Sequence, residues 1–159
     1  MSAVLAPVSG MSPVAVLSLG SNVGDRLAHL TGGLAVLDPY AVSSVWETEP
    51  VGGVPQGPYL NVVALVAADA TLAWERAQRA EAAAGRERTV RWGPRTLDVD
   101  VVLAPPPVPP GLQVPHPRAA ERPFVLAPWL EVEPDAVLPG AGRVADVLAR
   151  LGTAGVRRA

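Results

Sequence analysis

The sequence predicts an α+β fold in which one antiparallel sheet is covered on one face by two helices. Two observations predict it: the chain has the length of one domain, and its apolar segments alternate between strand-like and helix-like patterns. With 159 residues, 49% of them hydrophobic and 18% charged, the chain can build one ordinary core, as expected for about 150 residues. The composition therefore excludes a wholly disordered chain.

The first half of the pattern is a strand, a helix and a second strand. Residues 14–19 form a short apolar run typical of a buried strand. A helix is predicted over residues 23–37, where leucines recur every three or four positions, with Ser21 or Asn22 as its N-cap. Residues 42–48 contain strand-forming residues without a helical stripe and predict the next strand.

The second half repeats this alternation. Residues 59–68 predict a longer apolar strand, and residues 71–84 predict a helix with Thr71 as its N-cap. Residues 97–103 predict a further strand. The order β-α-β-β-α-β from about residue 14 to 104 matches the ferredoxin-like arrangement, whose two helices lie on the same face of the sheet.

The remaining segments are expected to extend this one domain, which comprises residues 1–159. Residues 1–13 have no Lys or Arg ahead of their short apolar patch, so they do not match a secretory signal and are expected to be a flexible tail. Residues 104–117 contain seven prolines, which allow only turns or an edge strand. Residues 144–151 predict a short closing helix, so the fold has a C-terminal extension.

Composition and charge exclude several classes of protein. The absence of cysteine excludes disulfides, a Cys-ligated zinc site and a thiol nucleophile. The longest apolar run without proline, residues 62–68, is far shorter than the roughly 20 residues of a membrane-spanning helix. The net charge of −2 disfavours a whole-domain nucleic-acid interface. We therefore expect a cytoplasmic protein that binds neither nucleic acid nor membrane.

Asp98 and Asp100 are the first candidate functional residues. Residues i and i+2 of a strand project to the same face, where two carboxylates repel unless a positive group offsets them. Mg²⁺ would do so, and so would a nearby arginine; an isolated pair is better explained by a solvated strand end bridged to Arg95. The arginine-rich residues 86–95 just before the strand favour a phosphate site in which arginines and a metal act together.

Three other residues have side chains suited to substrate recognition. His116 lies between two prolines, where its imidazole could bind a phosphate oxygen. Tyr59 and Asn61 share one strand face and would present a ring and an amide to a heterocycle. Neither a P-loop nor a G-x-G-x-x-G motif is present in the sequence.

Several motifs, in the same order along residues 14 to about 130, carry a resemblance to a known family. They are Leu19-Gly20-Ser21-Asn22, Glu47-Thr48-Glu49-Pro50, Tyr59-Leu60-Asn61, Gly85-Arg86-Glu87-Arg88, Arg91-Trp92-Gly93-Pro94-Arg95-Thr96-Leu97-Asp98-Val99-Asp100, Val114-Pro115-His116 and Arg122-Pro123-Phe124. With these motifs the chain resembles the 6-hydroxymethyl-7,8-dihydropterin pyrophosphokinases. The block from residue 91 to 100 is the most specific of them.

The resemblance implies an activity, its substrates and the roles of individual residues. The enzyme would transfer pyrophosphate from MgATP to the hydroxymethyl group of 6-hydroxymethyl-7,8-dihydropterin, releasing AMP, in folate biosynthesis, and we expect it to act as a monomer. Matching by position implies Asp98 and Asp100 as ligands of two Mg²⁺ ions, and as catalytic residues together with Arg86 and Arg95. The implied ATP-binding residues are Glu81, Arg86, Arg95, Val101, His116 and Arg122. The implied pterin-binding residues are Thr48, Val51, Tyr59, Asn61, Trp92 and Phe124.

Two other functions remain compatible with the residues themselves. In a non-enzymatic module that binds a small molecule or an anion, Asp98 and Asp100 would merely pair with arginines; metal-dependent ATP turnover separates it from an enzyme. An RNA-binding sheet of the same topology would use the arginines of residues 76–95 and would need exposed aromatic residues on its central strands. Residues 62–68 supply no aromatic side chain.

Overall fold

A computed structural model describes residues 13–49, 57–85 and 96–159. The expected tail therefore lies, apart from Pro13, outside the described residues. Within them the strands are β1 (Ala15–Ser21), β2 (Ala41–Val42), β3 (Trp46–Thr48), β4 (Tyr59–Val66), β5 (Asp98–Leu103), β6 (Val137–Leu138), β7 (Gly142–Arg143) and β8 (Val156–Arg158). The helices are α1 (Arg26–Leu37), α2 (Ala70–Ala83), α3 (Pro123–Val132) and α4 (Val144–Leu151), with a short 3₁₀ helix at Ala119–Glu121.

The main sheet has the predicted ferredoxin-like topology. Its strands lie in the order β5-β1-β4-β3-β8, β2 pairs with β4, and every pairing is antiparallel. Leu19 of β1 lies between Val62 of β4 and Val99 of β5. The predicted α+β class is thus confirmed. In the sheet, β1 and β4 lie between β5 and β3.

Both faces of the sheet are covered, and different helices cover them. Leu17 and Leu19 point into a core formed with α1 and α2, as predicted. Val16, Val63 and Val102 point to the opposite face and form a second core with α3 and α4. Because side chains alternate along a strand, residues 98 and 100 lie on the same face as Val102, which is the face that α3 covers.

The predicted N-cap of α1 is wrong. The helix begins at Arg26 rather than near residue 23, because the side chain of Asp25 accepts a hydrogen bond of 3.0 Å from the backbone N–H of Ala28. An acceptor in this place satisfies one of the free N–H groups of the first turn. Ser21 and Asn22 belong to the buried end of β1 and the turn after it.

Helix α2 and the second predicted strand also differ in detail. Asp69, not Thr71, caps α2 and accepts from Leu72 N–H at 2.9 Å, while the Thr71 hydroxyl donates to the carbonyl of Pro107 at 2.9 Å. The strand predicted over residues 42–48 is divided into β2 and β3. The proline-rich segment 104–117 forms turns and contains no strand.

Replacing either of two adjacent glycines of α1 by alanine should change the stability of the protein, but in opposite directions. A Cβ at Gly32 would meet no atom within 4 Å, whereas one at Gly33 would lie 2.8 Å from Leu97 Cδ2 and 3.1 Å from Leu19 Cδ2. We expect Gly32→Ala to raise the free energy of unfolding by about 0.5–1 kcal/mol. Gly33→Ala should be about 1–3 kcal/mol less stable than Gly32→Ala, because both leucines are fully buried. Urea unfolding of the two variants tests this; equal stabilities would contradict the close contact at Gly33.

Within the described ranges, the longest helices are too short or too polar to cross a membrane.

Candidate functional site

The candidate site lies at one end of the sheet, on the face that α3 covers. Gly20 of β1 is paired with Asp98 of β5 on one side and with Asn61 of β4 on the other. Asn61 is in turn paired with Trp46 of β3. Directly paired residues of antiparallel strands point to the same face. The two carboxylates and Asn61, one of the residues expected to bind the pterin, are therefore brought together across neighbouring strands.

Two basic side chains face the second carboxylate. Nη1 of Arg122 donates to Oδ2 of Asp100 at 3.3 Å, and Nε2 of His116 lies 3.9 Å from its Oδ1. All three side chains are partly shielded, with exposed fractions of 35% for Asp100, 23% for Arg122 and 22% for His116. This end of β5 thus combines negative and positive groups that remain accessible to a ligand.

His116 is held as a neutral hydrogen-bond donor. The backbone N–H of Arg118 donates to its Nδ1 at 3.2 Å, which leaves the proton on Nε2, the nitrogen that faces Asp100. Burial lowers the pKa of His116; the carboxylate of Asp100 opposes this, and the nearby Arg122 and Arg118 add to the lowering. At neutral pH the ring can therefore donate Nε2–H to a phosphate oxygen.

Asn61 is oriented by a neighbour on the next strand. The hydroxyl of Thr48 donates to Oδ1 of Asn61 at 2.6 Å, and both residues are buried. The other end of the amide, Nδ2, lies beside Gly20, where an added Cβ would be only 2.8 Å away. Tyr59 lies there too, with its Cδ1 at 3.4 Å from the same Cβ position. Gly20 thus gives an amide and an aromatic ring room to approach β1.

Phe124 joins the site from the start of α3. Pro123 occupies the first turn of the helix, which suits proline because its missing N–H has no intrahelical partner there. The guanidinium of Arg122 lies over the Phe124 ring, 5.6 Å from its centroid. Since the same guanidinium bonds Asp100, Arg122 connects the carboxylate side of the site to the aromatic side.

The two residues expected to border adenosine lie on the other side of β5. Glu81 of α2 accepts a hydrogen bond of 2.8 Å from the backbone N–H of Val99, at the outer edge of this edge strand. The side chain of Val101 is only 3% exposed and belongs to the core beneath α1 and α2. A contact between Val101 and a nucleotide would therefore have to be made by its backbone.

Four of the predicted site residues, Val51, Arg86, Trp92 and Arg95, lie outside the described residues. Their assignments stay predictions.

The donor set of Asp98 and Asp100 fits Mg²⁺. Two carboxylates on one strand face supply the hard oxygen ligands that Mg²⁺ prefers, and this ion usually keeps waters and substrate phosphates as its other ligands. In the described ranges, groups of three or more His, Asp or Glu side chains arranged to hold a metal are not found. Among the described residues, Asp98 and Asp100 are thus the candidate protein ligands of such a site.

Sequence reasoning missed one cluster beside this site. Glu131 of α3 accepts hydrogen bonds from the backbone and hydroxyl groups of Ser44 and from Nε1 of Trp46, and Arg158 of β8 lies over the Trp46 ring. We call these four residues the Glu131 cluster. Ser44 and Glu131 are 87 residues apart in sequence, so no local spacing identifies the cluster.

Paired carboxylates beside an arginine and an imidazole are typical of an enzyme that binds a metal–nucleotide complex. Comparison with known proteins places the chain within that class. The family model 7,8-dihydro-6-hydroxymethylpterin-pyrophosphokinase matches residues 16–134. The chain belongs to this family. As a member, it is a transferase of folate biosynthesis that moves pyrophosphate from ATP to hydroxymethyldihydropterin, and it typically requires Mg²⁺.

Individual relatives agree with this assignment. The chain is 45% identical over 147 residues to a 2-amino-4-hydroxy-6-hydroxymethyldihydropteridine pyrophosphokinase of Mycobacterium tuberculosis, covering 80% of this chain and 76% of the relative. It is 41% identical over 132 residues to the Bacillus subtilis enzyme of the same name, covering 77% and 79%. A crystal structure of HPPK-DHPS in complex with substrates matches the fold with a TM-score of 0.65 and 8% identity. That match covers 92% of this chain and 46% of the longer one.

Family membership decides against the two alternative functions. The chain is an enzyme rather than a binding module. The sheet also lacks the open face that an RNA-binding sheet of this topology needs, because α1 and α2 cover one face and α3 and α4 cover the other.

Proposed function

We propose that the end of the sheet between β5 and β3 is the site at which the chain transfers pyrophosphate. In this proposal ATP lies on the side of Asp100 and His116, and the pterin lies between β3 and the start of α3. The observation that carries the proposal is the position of Arg122, whose guanidinium contacts both Asp100 and the ring of Phe124. One cation can therefore act where the triphosphate and the acceptor hydroxyl meet.

The pterin is recognised by an oriented amide and by aromatic rings. Thr48 fixes the amide of Asn61, so that a donor and an acceptor are presented in a defined direction to the edge of a heterocycle. Tyr59 and Phe124 come from different elements and offer ring faces for stacking. Val51 and Trp92 are proposed to complete this part of the site.

Asp98 and Asp100 are proposed to hold two Mg²⁺ ions. When bound, the metal neutralises the triphosphate and orients it toward the attacking hydroxyl. Arg122 adds positive charge beside Asp100, and neutral His116 donates Nε2–H to a phosphate oxygen. Arg86 and Arg95 are proposed to stabilise the charge that develops during transfer, with Glu81 and the backbone of Val101 beside the adenosine. Such a transfer depends on positioning and electrostatics and needs no covalent intermediate.

Separating the nucleotide products tests this reaction directly. The purified protein is incubated with MgATP, with and without 6-hydroxymethyl-7,8-dihydropterin, and with EDTA as a control. We expect AMP only when both the pterin and Mg²⁺ are present. ADP, or AMP formed equally without the pterin, would contradict pyrophosphoryl transfer to this acceptor.

Arg122→Ala should lower kcat/KM by about 100-fold, because the variant loses a charge close to the phosphates and a cation on the Phe124 ring. Arg118→Ala is the matched control, because the Arg118 side chain is 58% exposed and pairs with Glu121 at 3.8 Å. We expect the control to retain activity within about twofold of wild type, as for most exposed pairs. Equal losses in both variants would contradict the specific role of Arg122.

We also propose that the enzyme acts as a monomer in the cytoplasm. The co-substrate ATP is an intracellular metabolite, which supports the second part of this proposal. Light scattering tests the first point, for which a mass of 16.4 kDa is expected. A doubled mass would overturn it.

A further inference from the structure

We propose that Glu131 is a positioning residue for the pterin substrate: it fastens β3 to α3 and so fixes the spacing between Asn61 and Phe124. This inference rests on the proposed function, because Asn61 and Phe124 are the pterin contacts of that proposal.

The contacts of Glu131 are concentrated at the start of β3. Its Oε2 accepts from the Ser44 backbone N–H at 3.0 Å and from the Ser44 hydroxyl, and its Oε1 accepts from Trp46 Nε1 at 3.0 Å. Burial raises the pKa of Glu131, but the hydrogen bonds from Ser44 and Trp46 outweigh it and hold the pKa below its usual value. The group is therefore a carboxylate at neutral pH, with three donors directed at its two oxygens.

Of the two elements that Glu131 joins, β3 depends more on the contact. Helix α3 is anchored in the second core by Val125, Leu126 and Trp129, each at most 2% exposed. Strand β3 has only three residues, and the sheet ladder is interrupted between it and β2. A well-packed helix thus sets the position of a short strand.

The position of β3 affects the pterin site through two contacts with Asn61. Trp46 lies directly opposite Asn61, and Thr48, two residues further on the same face, donates to Asn61 Oδ1. Phe124 lies about two turns before Glu131 on α3, since a helical turn has about 3.6 residues. One rigid helix therefore locates a ring at one end of the pterin and, through Glu131, an amide at the other.

Glutamine at position 131 tests the role of the carboxylate. It keeps the shape but places an NH₂ group against a donor, either Ser44 or Trp46. We expect Glu131→Gln to raise the KM for the pterin by about tenfold while the KM for ATP changes less than twofold, because none of the described ATP contacts lies on β3. Circular dichroism and thermal unfolding of each variant establish that it is folded.

Glu133→Gln is the matched control. Glu133 is the C-cap of the same helix and also accepts an indole N–H, from Trp129 Nε1 at 2.8 Å, but that indole belongs to α3 itself. Both KM values of this variant should stay within about twofold of wild type, since no contact with β3 is lost. Trp46→Phe, which removes the indole N–H and keeps a smaller aromatic ring, should raise the pterin KM.

The double variant Trp46→Phe/Glu131→Gln completes the test. If the two residues act as one unit, its pterin KM should not exceed that of the larger single variant by more than about twofold. A pterin KM of Glu131→Gln equal to that of Glu133→Gln, or an equal rise in the ATP KM, would overturn the positioning role. Wild-type enzyme in the same assay distinguishes failure of the positioning role from failure of the proposed function. The proposed function fails if the wild-type enzyme forms no AMP with the pterin.

Discussion

Asp98→Ala and Asp100→Ala should each lower kcat/KM by about a thousandfold or more while leaving the protein folded. The reason for the loss is that these two carboxylates share one face of β5 and are the proposed hard oxygen ligands of the metal. Waters and phosphate oxygens can complete the coordination of Mg²⁺, but they cannot fix the metal to the protein.

The fold should survive because neither carboxylate is buried in a core. Asp100 has a 35% exposed side chain and pairs with Arg122, which is itself 23% exposed. Losing such a partly exposed pair is expected to cost about 1 kcal/mol or less. Removing one of two like charges on the same strand face also relieves their repulsion.

Asp135→Ala provides the matched control for these two variants. Asp135 also faces an arginine, Arg143 at 3.7 Å, but its side chain is 96% exposed and belongs to a turn far from β5 in sequence. AMP formation is measured over a range of Mg²⁺ concentrations, and unfolding by circular dichroism. Unaltered turnover in both Asp98→Ala and Asp100→Ala would refute the metal assignment, whereas unfolding of both would refute the claim that they are dispensable for the fold.

The central sheet could be predicted from the sequence because each of its long strands contains a short apolar run without a helical stripe. Helix α3 could not. Its sequence is apolar on nearly all sides and contains Pro128, so it lacks both the amphipathic stripe and the uninterrupted backbone pattern by which helices are identified. It is buried all round because it lies between the second face of the sheet and α4, a tertiary arrangement that no local pattern reports.

Within the candidate site, too, local sequence patterns predict some features, whereas others depend on the tertiary arrangement. The spacing i, i+2 places Asp98 with Asp100, and Tyr59 with Asn61, on common strand faces, and the structure has both pairs on strands. Glu131 is different, because its partners are brought to it only when α3 docks on the sheet. Gly20 is different as well: the sequence indicates a turn residue, and only the pairing of β1 with β4 shows that its missing side chain is what matters.

Gly20→Ala is therefore expected to raise the KM for the pterin by about tenfold or more, since a contact this close must displace a buried side chain. The added Cβ would lie 2.8 Å from Asn61 Nδ2 and 3.4 Å from Tyr59 Cδ1. Asn61 is 3% exposed and is held by the Thr48 hydroxyl, so its amide cannot turn aside without losing that bond. The side chains of Asn61 and Tyr59, the two proposed pterin contacts on β4, should therefore be displaced together.

The KM for ATP should change less than twofold in Gly20→Ala, because the three atoms nearest the added Cβ belong to residues of β4 and not to the carboxylates of β5. Gly32→Ala, the same chemical change at an open position of α1, is the control and should leave both constants unaltered. A Gly20→Ala enzyme with wild-type affinity for the pterin would show that the substrate does not use the amide of Asn61, and the pterin would then have to bind away from β4. A selective loss of pterin affinity would instead mean that a glycine is needed at residue 20 for the space it leaves.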